Sequence, residues 1–255
     1  MALWALRLLS LSCYVRTRGV LRPVRAWLAW MALLSPTSVL WADTVASARY
    51  TDPTDRYAHG VLGDAIEWGA LELLLQTGEV RRFVLPQDHV FEDVAPRLAD
   101  LDGDGASEVL VVETDVVAGG AFAIYGPEGK ITETPHIGTR NRWLAPLGAA
   151  DLDGDGTVEV AYIDRPHLAK TLRIWRYKNS RLTEVARLPG LTNHRIGEGD
   201  IAGGIRACNG GPEMILATAN WSDLVALRWD GAQFQRTYLG GDTTRAAFAR
   251  ALTCE

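Results

Sequence analysis

Two short acidic loops contain the residues whose types and spacing point most directly to chemistry. Each loop carries oxygen-bearing side chains at every second position around glycines, and a glutamate closes it at the ninth position. Calcium takes six to eight oxygen ligands in a flexible shell, so carboxylates at alternate loop positions can converge on one ion, and we predict about two calcium ions. The expected ligands are the side chains of Asp100, Asp102, Asp104 and Glu108 with the Ala106 carbonyl, and those of Asp151, Asp153, Asp155 and Glu159 with the Thr157 carbonyl.

Two familiar calcium motifs fit these loops less well. An EF-hand loop closes with a glutamate at position 12 and continues into a helix, whereas β-branched residues follow Glu108 and Glu159. Arrays of calcium-binding nonapeptides need short consecutive copies, which this sequence lacks. A solvated cluster of Asp-Gly turns would have no reason to keep the same spacing twice.

The segments after each acidic loop also recur, with a period of about 50 residues. Short apolar runs suited to strands follow one another in each copy and are separated by glycine-rich turns. Four copies fit after an N-terminal lead-in at residues 43–56, and the first of them has no acidic loop before it. The copies are residues 57–99, 100–150, 151–199 and 200–255.

This repeat pattern predicts an all-β fold, a small β-propeller of about four four-stranded blades. An open arc of blades that completes a ring by oligomerisation is the alternative. No helix is expected, and the tail at residues 248–252 is predicted to be a closing strand because it resembles residues 97–101. Trp143, Trp175 and Trp229 are expected to pack between blades.

An Asp-x-Asp-x-Asp-Gly-x-x-Glu loop that leads into a strand resembles the FG-GAP / VCBS repeat family of bacterial exported proteins, including the calcium loops of integrin-type propellers. The resemblance covers residues 57–240 and is specific at the two acidic loops. One departure is the glutamate at the ninth position, where aspartate is commoner. The resemblance implies a β-propeller with calcium at the blade entrances and a binding or scaffold role.

A third copy of the loop is degenerate. Asp200 and Glu213 align with its first and last acids, but Ala202 and Gly204 stand where the second and third acids should be. No calcium is expected there. An insertion in this copy carries Cys208, so a disulfide could hold this loop where calcium does not.

Cysteine use and the N-terminal charge both indicate export. Cys208 and Cys254 are the only cysteines after the N-terminal segment, and an even number in an oxidising compartment favours a disulfide over two unrelated buried thiols. Residues 1–42 contain five arginines and no acid, then an apolar run and a small-residue end, which is the order of a secretory signal peptide. We expect a periplasmic or secreted protein with no stable membrane span after signal removal. Anchoring in the inner membrane by an uncleaved N-terminal segment is the alternative.

The charge balance excludes one class of partner. The whole chain has a formal net charge of −5, and it is more negative once the basic N-terminal segment is set aside. Phosphate binding needs a positive footprint, so nucleic acid is not expected as a partner. The acidity is concentrated in the two calcium loops.

The sequence offers no motif for nucleophilic catalysis, because Gly-x-Ser-x-Gly, Cys-x-x-Cys, His-Glu-x-x-His and Walker loops are all missing. We therefore predict a non-catalytic interaction or scaffold module of the cell envelope, with a small carbohydrate-active enzyme or carbohydrate-binding protein as the alternative. Loops opposite the calcium loops form a candidate ligand face for an unknown envelope protein or an anionic glycan, although ordinary solvated loops would look similar. That face consists of Arg140, Arg142, Trp143, Arg165, His167, His194 and Arg195.

Overall fold

The computed structural model describes residues 44–208 and 210–254, so the predicted signal peptide at residues 1–42 lies outside the described part of the chain. The described residues are all-β apart from one short helix, α1, and they include no helix long and apolar enough to cross a membrane. The elements are β1 (Val45–Thr54), β2 (Glu67–Leu75), β3 (Val80–Val84), β4 (His89–Phe91), β5 (Arg97–Ala99), β6 (Glu108–Asp115), β7 (Gly119–Gly126), β8 (Gly129–Glu133), β9 (Leu144–Ala150), β10 (Glu159–Asp164), β11 (Thr171–Lys178), β12 (Arg181–Pro189), β13 (Leu191–Thr192), β14 (Gly204–Cys208), β15 (Gly211–Thr218), β16 (Leu224–Trp229), β17 (Phe234–Gly240) and α1 (Arg245–Leu252).

The described strands form three antiparallel sheets. The second sheet has the order β12-β11-β10-β9, and the third has the order β13-β15-β16-β17 with β14 beside β15. The first sheet contains two strand groups, β1–β3 and β4–β8, which the single pair Trp68–Phe91 connects. Strands that are consecutive along the chain therefore lie side by side, as the repeat pattern predicts for the copies that contain β6, β10 and β15.

The first group of strands departs from the four-strand prediction. Within the predicted lead-in, Val45–Thr54 forms β1, which pairs with β2 in a register that places Tyr50 opposite Leu71. The group has three strands, since β3 pairs with the other edge of β2. Its three strands are equivalent to β6, β7 and β8 of the next group. The first group therefore lacks an equivalent of β5, the strand that precedes the acidic loop.

Apolar cores separate successive strand groups. One core joins β2 to β6 and β7, the next joins β7 to β10 and β11, and a third joins β10 and β11 to β15 and β16. Because both of its faces are covered, β7 is buried along its whole length and carries no charged residue. Trp143 and Trp175 lie in the core between the first and second sheets and Trp229 in the core between the second and third, where they were expected.

The tail forms helix α1, so the predicted closing strand at residues 248–252 and the expected lack of helices are both wrong. Thr244 caps the helix, and its side chain accepts a hydrogen bond from the Ala247 backbone N–H at 3.3 Å. Phe248 and Ala251 pack on the outer face of β15 and β16. Alanine has the highest helix propensity, so the alanine-rich segment favours a helix. As a helix, the segment presents one apolar stripe that covers this face of the sheet.

Candidate metal loops

The first acidic loop lies between β5 and β6 and folds around the side chain of Asp100. Its two carboxylate oxygens accept hydrogen bonds from the backbone N–H groups of Gly103 at 2.8 Å and Gly105 at 3.0 Å. The two glycines adopt φ values of 78° and 88°, in the left-handed region that glycine tolerates without strain. The glycines of the motif therefore allow the loop backbone to turn around its first acid.

The first loop brings three of its predicted ligands together. One oxygen each of Asp100, Asp102 and Glu108 lies within 4.8 Å of the others. Asp104 is outside this group, and its Oδ1 accepts a hydrogen bond from the Ala106 N–H at 2.7 Å. A further acid is thus held next to the cluster by the loop backbone.

The second loop, between β9 and β10, reproduces these contacts. Asp151 accepts hydrogen bonds from Gly154 at 2.8 Å and Gly156 at 2.9 Å, and one oxygen each of Asp151, Asp153 and Glu159 lies within 4.8 Å of the others. The N–H of Thr157 donates to Asp155 at 2.8 Å. Two loops of the same spacing therefore have the same backbone arrangement.

The closing glutamates are the buried members of the clusters. Glu108 is 9% exposed and Glu159 is fully buried, and each accepts a hydrogen bond from a backbone N–H at the start of its loop. Burial raises the pKa of both carboxyls, and the neighbouring acids Asp102 and Asp153 raise them further. Charge at these positions is costly unless a positive group compensates it.

The two loops differ in their positive neighbours. Arg176, on β11, reaches into the second loop and lies 2.6 Å from Glu159 Oε1 and 3.0 Å from Asp155 Oδ2, and it also contacts Asp153. The copies at residues 100–150, 151–199 and 200–255 are called the first, second and third repeats from here on. The residue of the first repeat that corresponds to Arg176 is Gly126, because Tyr125 pairs with Val109 on the adjacent strand.

The donor set of both loops fits calcium. All converging groups are carboxylate oxygens, the hard ligands that calcium prefers, and they lie close enough to share one ion. Bound there, calcium would supply the positive charge that four acids in one loop require. Asp100, Asp102 and Glu108 would hold it in the first loop, and Asp151, Asp153 and Glu159 in the second.

The third repeat replaces the acidic loop with a hairpin. Cys208 at the end of β14 pairs with Gly211 at the start of β15, which leaves no room for a nine-residue acidic loop between them. The alignment of Asp200 with the first loop acid was therefore wrong: Asp200 precedes β14 and lies 2.7 Å from the Arg245 guanidinium on α1.

Glu213 does occupy the position of the closing glutamates, but two arginines neutralise it. Its carboxylate lies 2.7 Å from Arg206 and 2.9 Å from Arg228. Burial alone would raise the pKa of Glu213, yet the hydrogen bonds from Arg228 and Arg206 lower it. A Cys208–Cys254 disulfide, as predicted, ties this hairpin to the segment after α1, two residues beyond the end of the helix, with a Cα–Cα distance of 6.1 Å.

Part of the candidate ligand face comes together around the imidazoles of His167 and His194. His167 Nε2 and His194 Nδ1 are 2.9 Å apart, and the His194 ring lies 4.9 Å from the Trp143 ring, edge to face. Burial lowers the pKa of His167 to about 4 and also lowers that of His194, so both rings are neutral at pH 7. The positive charge of this face therefore comes from its arginines.

The arginines of that face are spread over several loops. Arg142 and Arg165 line an open cleft of about 160 Å³ together with Trp143 and His167. Arg140 lies over the Tyr57 ring, 5.7 Å from its centroid. Arg195 is placed elsewhere, 3.8 Å above the Trp221 ring.

A buried pair that the sequence does not reveal lies beside the same cleft. His59 Nδ1 contacts the carboxylate of Glu92, which is fully buried and accepts a hydrogen bond from Thr114 Oγ1 at 2.8 Å. The indole N–H of Trp143 donates to the Glu92 carbonyl at 2.7 Å. His59 lies in a loop before β2 and Glu92 directly after β4, so no spacing along the chain could have linked them.

Arg176 and Arg228 were also missed. The available signal was an arginine at the end of the third strand in two copies, where the copy at residues 100–150 has Gly126. The arginine can be recognised as a partner of the closing glutamate only when the pairing of the two strands is known, because that pairing places the two residues opposite each other.

Comparisons with curated proteins and with solved structures gave different results. Among curated proteins, none matches the chain. A solved exo-β-1,3-galactanase from Phanerochaete chrysosporium, crystallised with β-1,3-galactotriose, is 12% identical to it. The alignment covers 78% of this chain and 50% of the galactanase, with a TM-score of 0.40, so the chain spans about half the length of that enzyme. So low a TM-score indicates neither a shared fold nor a shared activity.

One family model matches within the chain. It is that of the FG-GAP-like repeat, over residues 100–162, a stretch that begins at Asp100 and contains both acidic loops with the strands between them. The resemblance found in the loop spacing is confirmed over this segment, and the chain contains an FG-GAP-like repeat.

Proposed function

We propose that the protein is an exported, calcium-binding β-propeller that acts as a non-catalytic interaction or scaffold module of the cell envelope. The observation that carries this proposal is the pair of acidic loops, which converge three carboxylates each through the same set of backbone hydrogen bonds. Two separate copies of one oxygen-rich geometry favour a common ligand, and calcium suits it best. The FG-GAP-like repeat over residues 100–162 supports a role in interaction.

A ring of repeats is supported by a contact between the first strand group and the third sheet. The Gly197 N–H donates to the Val61 carbonyl at 3.0 Å, which joins the loop before β2 to the loop before β14. The two backbones approach so closely that a Cβ on Gly63 would lie 2.8 Å from the Gly197 oxygen. A closed ring would place the inner loops of the repeats around one axis.

Export is supported by the Cys208–Cys254 disulfide, because such bonds persist in oxidising compartments. The periplasm or the exterior of the cell also supplies free calcium for the loops. The basic N-terminal segment would then act as the secretory signal.

The cleft on the face opposite the acidic loops is the proposed partner site. Arg142 and Arg165 would meet an anionic group, such as a glycan carboxylate or an acidic protein side chain, and Trp143 supplies an apolar floor. Leu168 and Ile196 line the same cleft and are 63% and 73% exposed, which suits contact with a partner.

Calcium binding is tested by melting the purified protein in calcium and in a chelator. We expect a higher melting temperature in calcium, and a smaller difference for Asp102→Asn combined with Asp153→Asn. Partner binding is tested by capture from an envelope extract with wild-type protein and with Arg142→Glu. An unchanged melting temperature would remove the calcium role, and turnover of a carbohydrate by the purified protein would contradict the non-catalytic role.

A further inference from the structure

The position opposite the closing glutamate differs among the three repeats, and it determines how much positive charge the protein itself supplies. It is Gly126 in the first repeat, Arg176 in the second and Arg228 in the third. The third repeat adds Arg206 and has no acidic loop. Among the described residues at these positions, the first repeat therefore has no arginine, the second has one and the third has two. The number rises to two in the repeat whose acidic loop is replaced by a hairpin.

Arg176 is placed as a counter-ion for the second loop. Its guanidinium contacts Asp153, Asp155 and Glu159, which are three of the four acids of that loop. The side chain is 25% exposed and Glu159 is fully buried, so this charge cluster is only partly screened by water. Asp151 is outside these contacts and is held by the backbone of Gly154 and Gly156.

We propose that Arg176 competes with calcium for the second loop, so that the first loop is the high-affinity site and the second a low-affinity site. This inference rests on the proposed function. A calcium ion at the second loop shares its carboxylates with a guanidinium, and the net charge of the loop with Arg176 is one unit less negative than that of the first loop. Both effects weaken binding, because the number of ligand charges tunes calcium affinity over orders of magnitude.

Arg176 also contacts an aromatic ring in addition to its ion pairs. Its guanidinium carbon lies 5.9 Å from the centroid of the Trp229 ring, on the strand of the next sheet. A cation over an indole face is stabilised even when its ion pairs are lost. Arg176 would therefore keep one favourable contact if calcium displaced its ion pairs.

Isothermal titration with calcium chloride separates the two loops. Asp102→Asn leaves the second loop intact, and Asp153→Asn leaves the first. We expect Asp153→Asn to bind calcium at least about tenfold more tightly than Asp102→Asn, since the loops have the same backbone and differ in one positive charge. Adding Arg176→Met to Asp102→Asn should strengthen binding by a similar factor, because methionine keeps the apolar stem and removes the charge.

Two matched variants test whether the positive charge is responsible for the difference in affinity. Arg176→Lys keeps the positive charge and should keep binding weak. Gly126→Arg, made together with Asp153→Asn, introduces the arginine into the first loop and should weaken it about as much as Arg176→Met strengthens the second. The Cβ at residue 126 would meet only Ile131, at 3.1 Å from the end of that side chain. Circular dichroism and the melting temperature identify any variant that does not fold. If Arg176→Met does not fold, the calcium affinity of the Gly126→Arg variant decides whether an arginine at this position weakens binding.

Equal affinities of the two loops, or no gain from Arg176→Met in a folded protein, would overturn the inference while leaving the proposed function intact. If the second loop binds no calcium until Arg176 is replaced, the inference is supported in its strongest form. If no variant binds calcium, the proposed function fails and this inference fails with it.

Discussion

The first and third repeats keep a buried glutamate at the same position, yet they compensate its charge in different ways. Glu108 of the first repeat lies in an open cluster of acids with a glycine on the adjacent strand. Glu213 of the third repeat is bound by Arg206 and Arg228, and its loop is reduced to a hairpin that a disulfide ties to α1.

This contrast indicates that the buried acid belongs to the strand framework, whereas the positive group that balances it is exchangeable. A carboxylate at the start of the second strand can bind a backbone N–H at the beginning of its own loop, as Glu108 and Glu159 do. Where the loop is long enough to gather further acids, a metal can supply the charge. Where it is short, arginines from neighbouring strands supply it.

Loss of the disulfide should reduce stability the most. Replacing Cys208 and Cys254 by serine opens a bond between residues 46 apart and should lower the free energy of unfolding by about 4 kcal/mol on the chain-entropy model. Urea denaturation measures it. Calcium binding by the first loop should be unchanged, and an unchanged urea midpoint would show that the third repeat does not need a covalent tie.

Removal of both arginines around Glu213 should come next. The double variant Arg206→Met and Arg228→Met leaves a buried carboxylate without its cations and should destabilise the protein by about 3 kcal/mol near pH 7. Because the pKa of Glu213 is lowered in the folded protein, the stability that the arginines provide is present above the ordinary pKa of glutamate and is lost as the pH falls.

The double variant should therefore resemble wild-type protein more closely at pH 4 than at pH 7 in melting experiments. Adding Glu213→Gln should restore most of the loss at pH 7. A loss that is equal at both pH values and is not rescued by glutamine would mean that the arginines act through packing.

Calcium removal should have a somewhat smaller effect, and it should fall unequally on the two loops. At a calcium concentration 100 times the dissociation constant, binding stabilises a folded protein by about 2.7 kcal/mol. Because Arg176 already compensates the second loop, Asp102→Asn should remove more of the calcium-dependent rise in melting temperature than Asp153→Asn. The reverse order would contradict the distinction between compensated and open loops.

A weaker effect still is expected at a buried acid that has no such compensation. Glu67 is 2% exposed, and burial together with the nearby acids Glu92, Asp64 and Asp93 raises its pKa to about 9. The fold therefore favours the protonated form, so stability is full below the ordinary pKa of glutamate and is lost as the pH rises towards about 9.

Replacement by Glu67→Gln should stabilise the protein at pH 8 by about 1–2 kcal/mol, since water penetration reduces the cost of a buried charge. At pH 4 the variant and the wild-type protein should melt together. Melting curves at the two pH values test this, and destabilisation at pH 8 would show that Glu67 is charged and paired.

The repeats were predictable from the sequence because their signals are local. The acidic spacing, the glycines at residues 103 and 105 and the apolar runs of β6, β7, β10 and β11 all lie within one period of the chain. The disulfide followed from counting, since Cys208 and Cys254 are the two cysteines after the N-terminal segment at residues 1–42.

What was missed depends on contacts between distant residues or on competing local signals. Arg176 gains its role only through pairing with β10, and His59 meets Glu92 only after the strands are assembled. In the tail, the apolar residues suited either a strand or a helix, and the resemblance to residues 97–101 outweighed the capping residue Thr244 and the alanines that favour a helix. Asp200 was misplaced because an insertion moved it out of register with the first loop.

Helix α1 also has a consequence for how copies of this chain can associate. The outer face of the last sheet is covered by Phe248 and its neighbours. The outward face of the first strand group mixes the exposed residues Val80 and Val84 with the ion pair of Arg49 and Glu72. A second copy could therefore stack a sheet on the last sheet only if α1 left this face. A short helix thus blocks, at this end of the protein, the sheet-on-sheet packing that joins the strand groups within the chain.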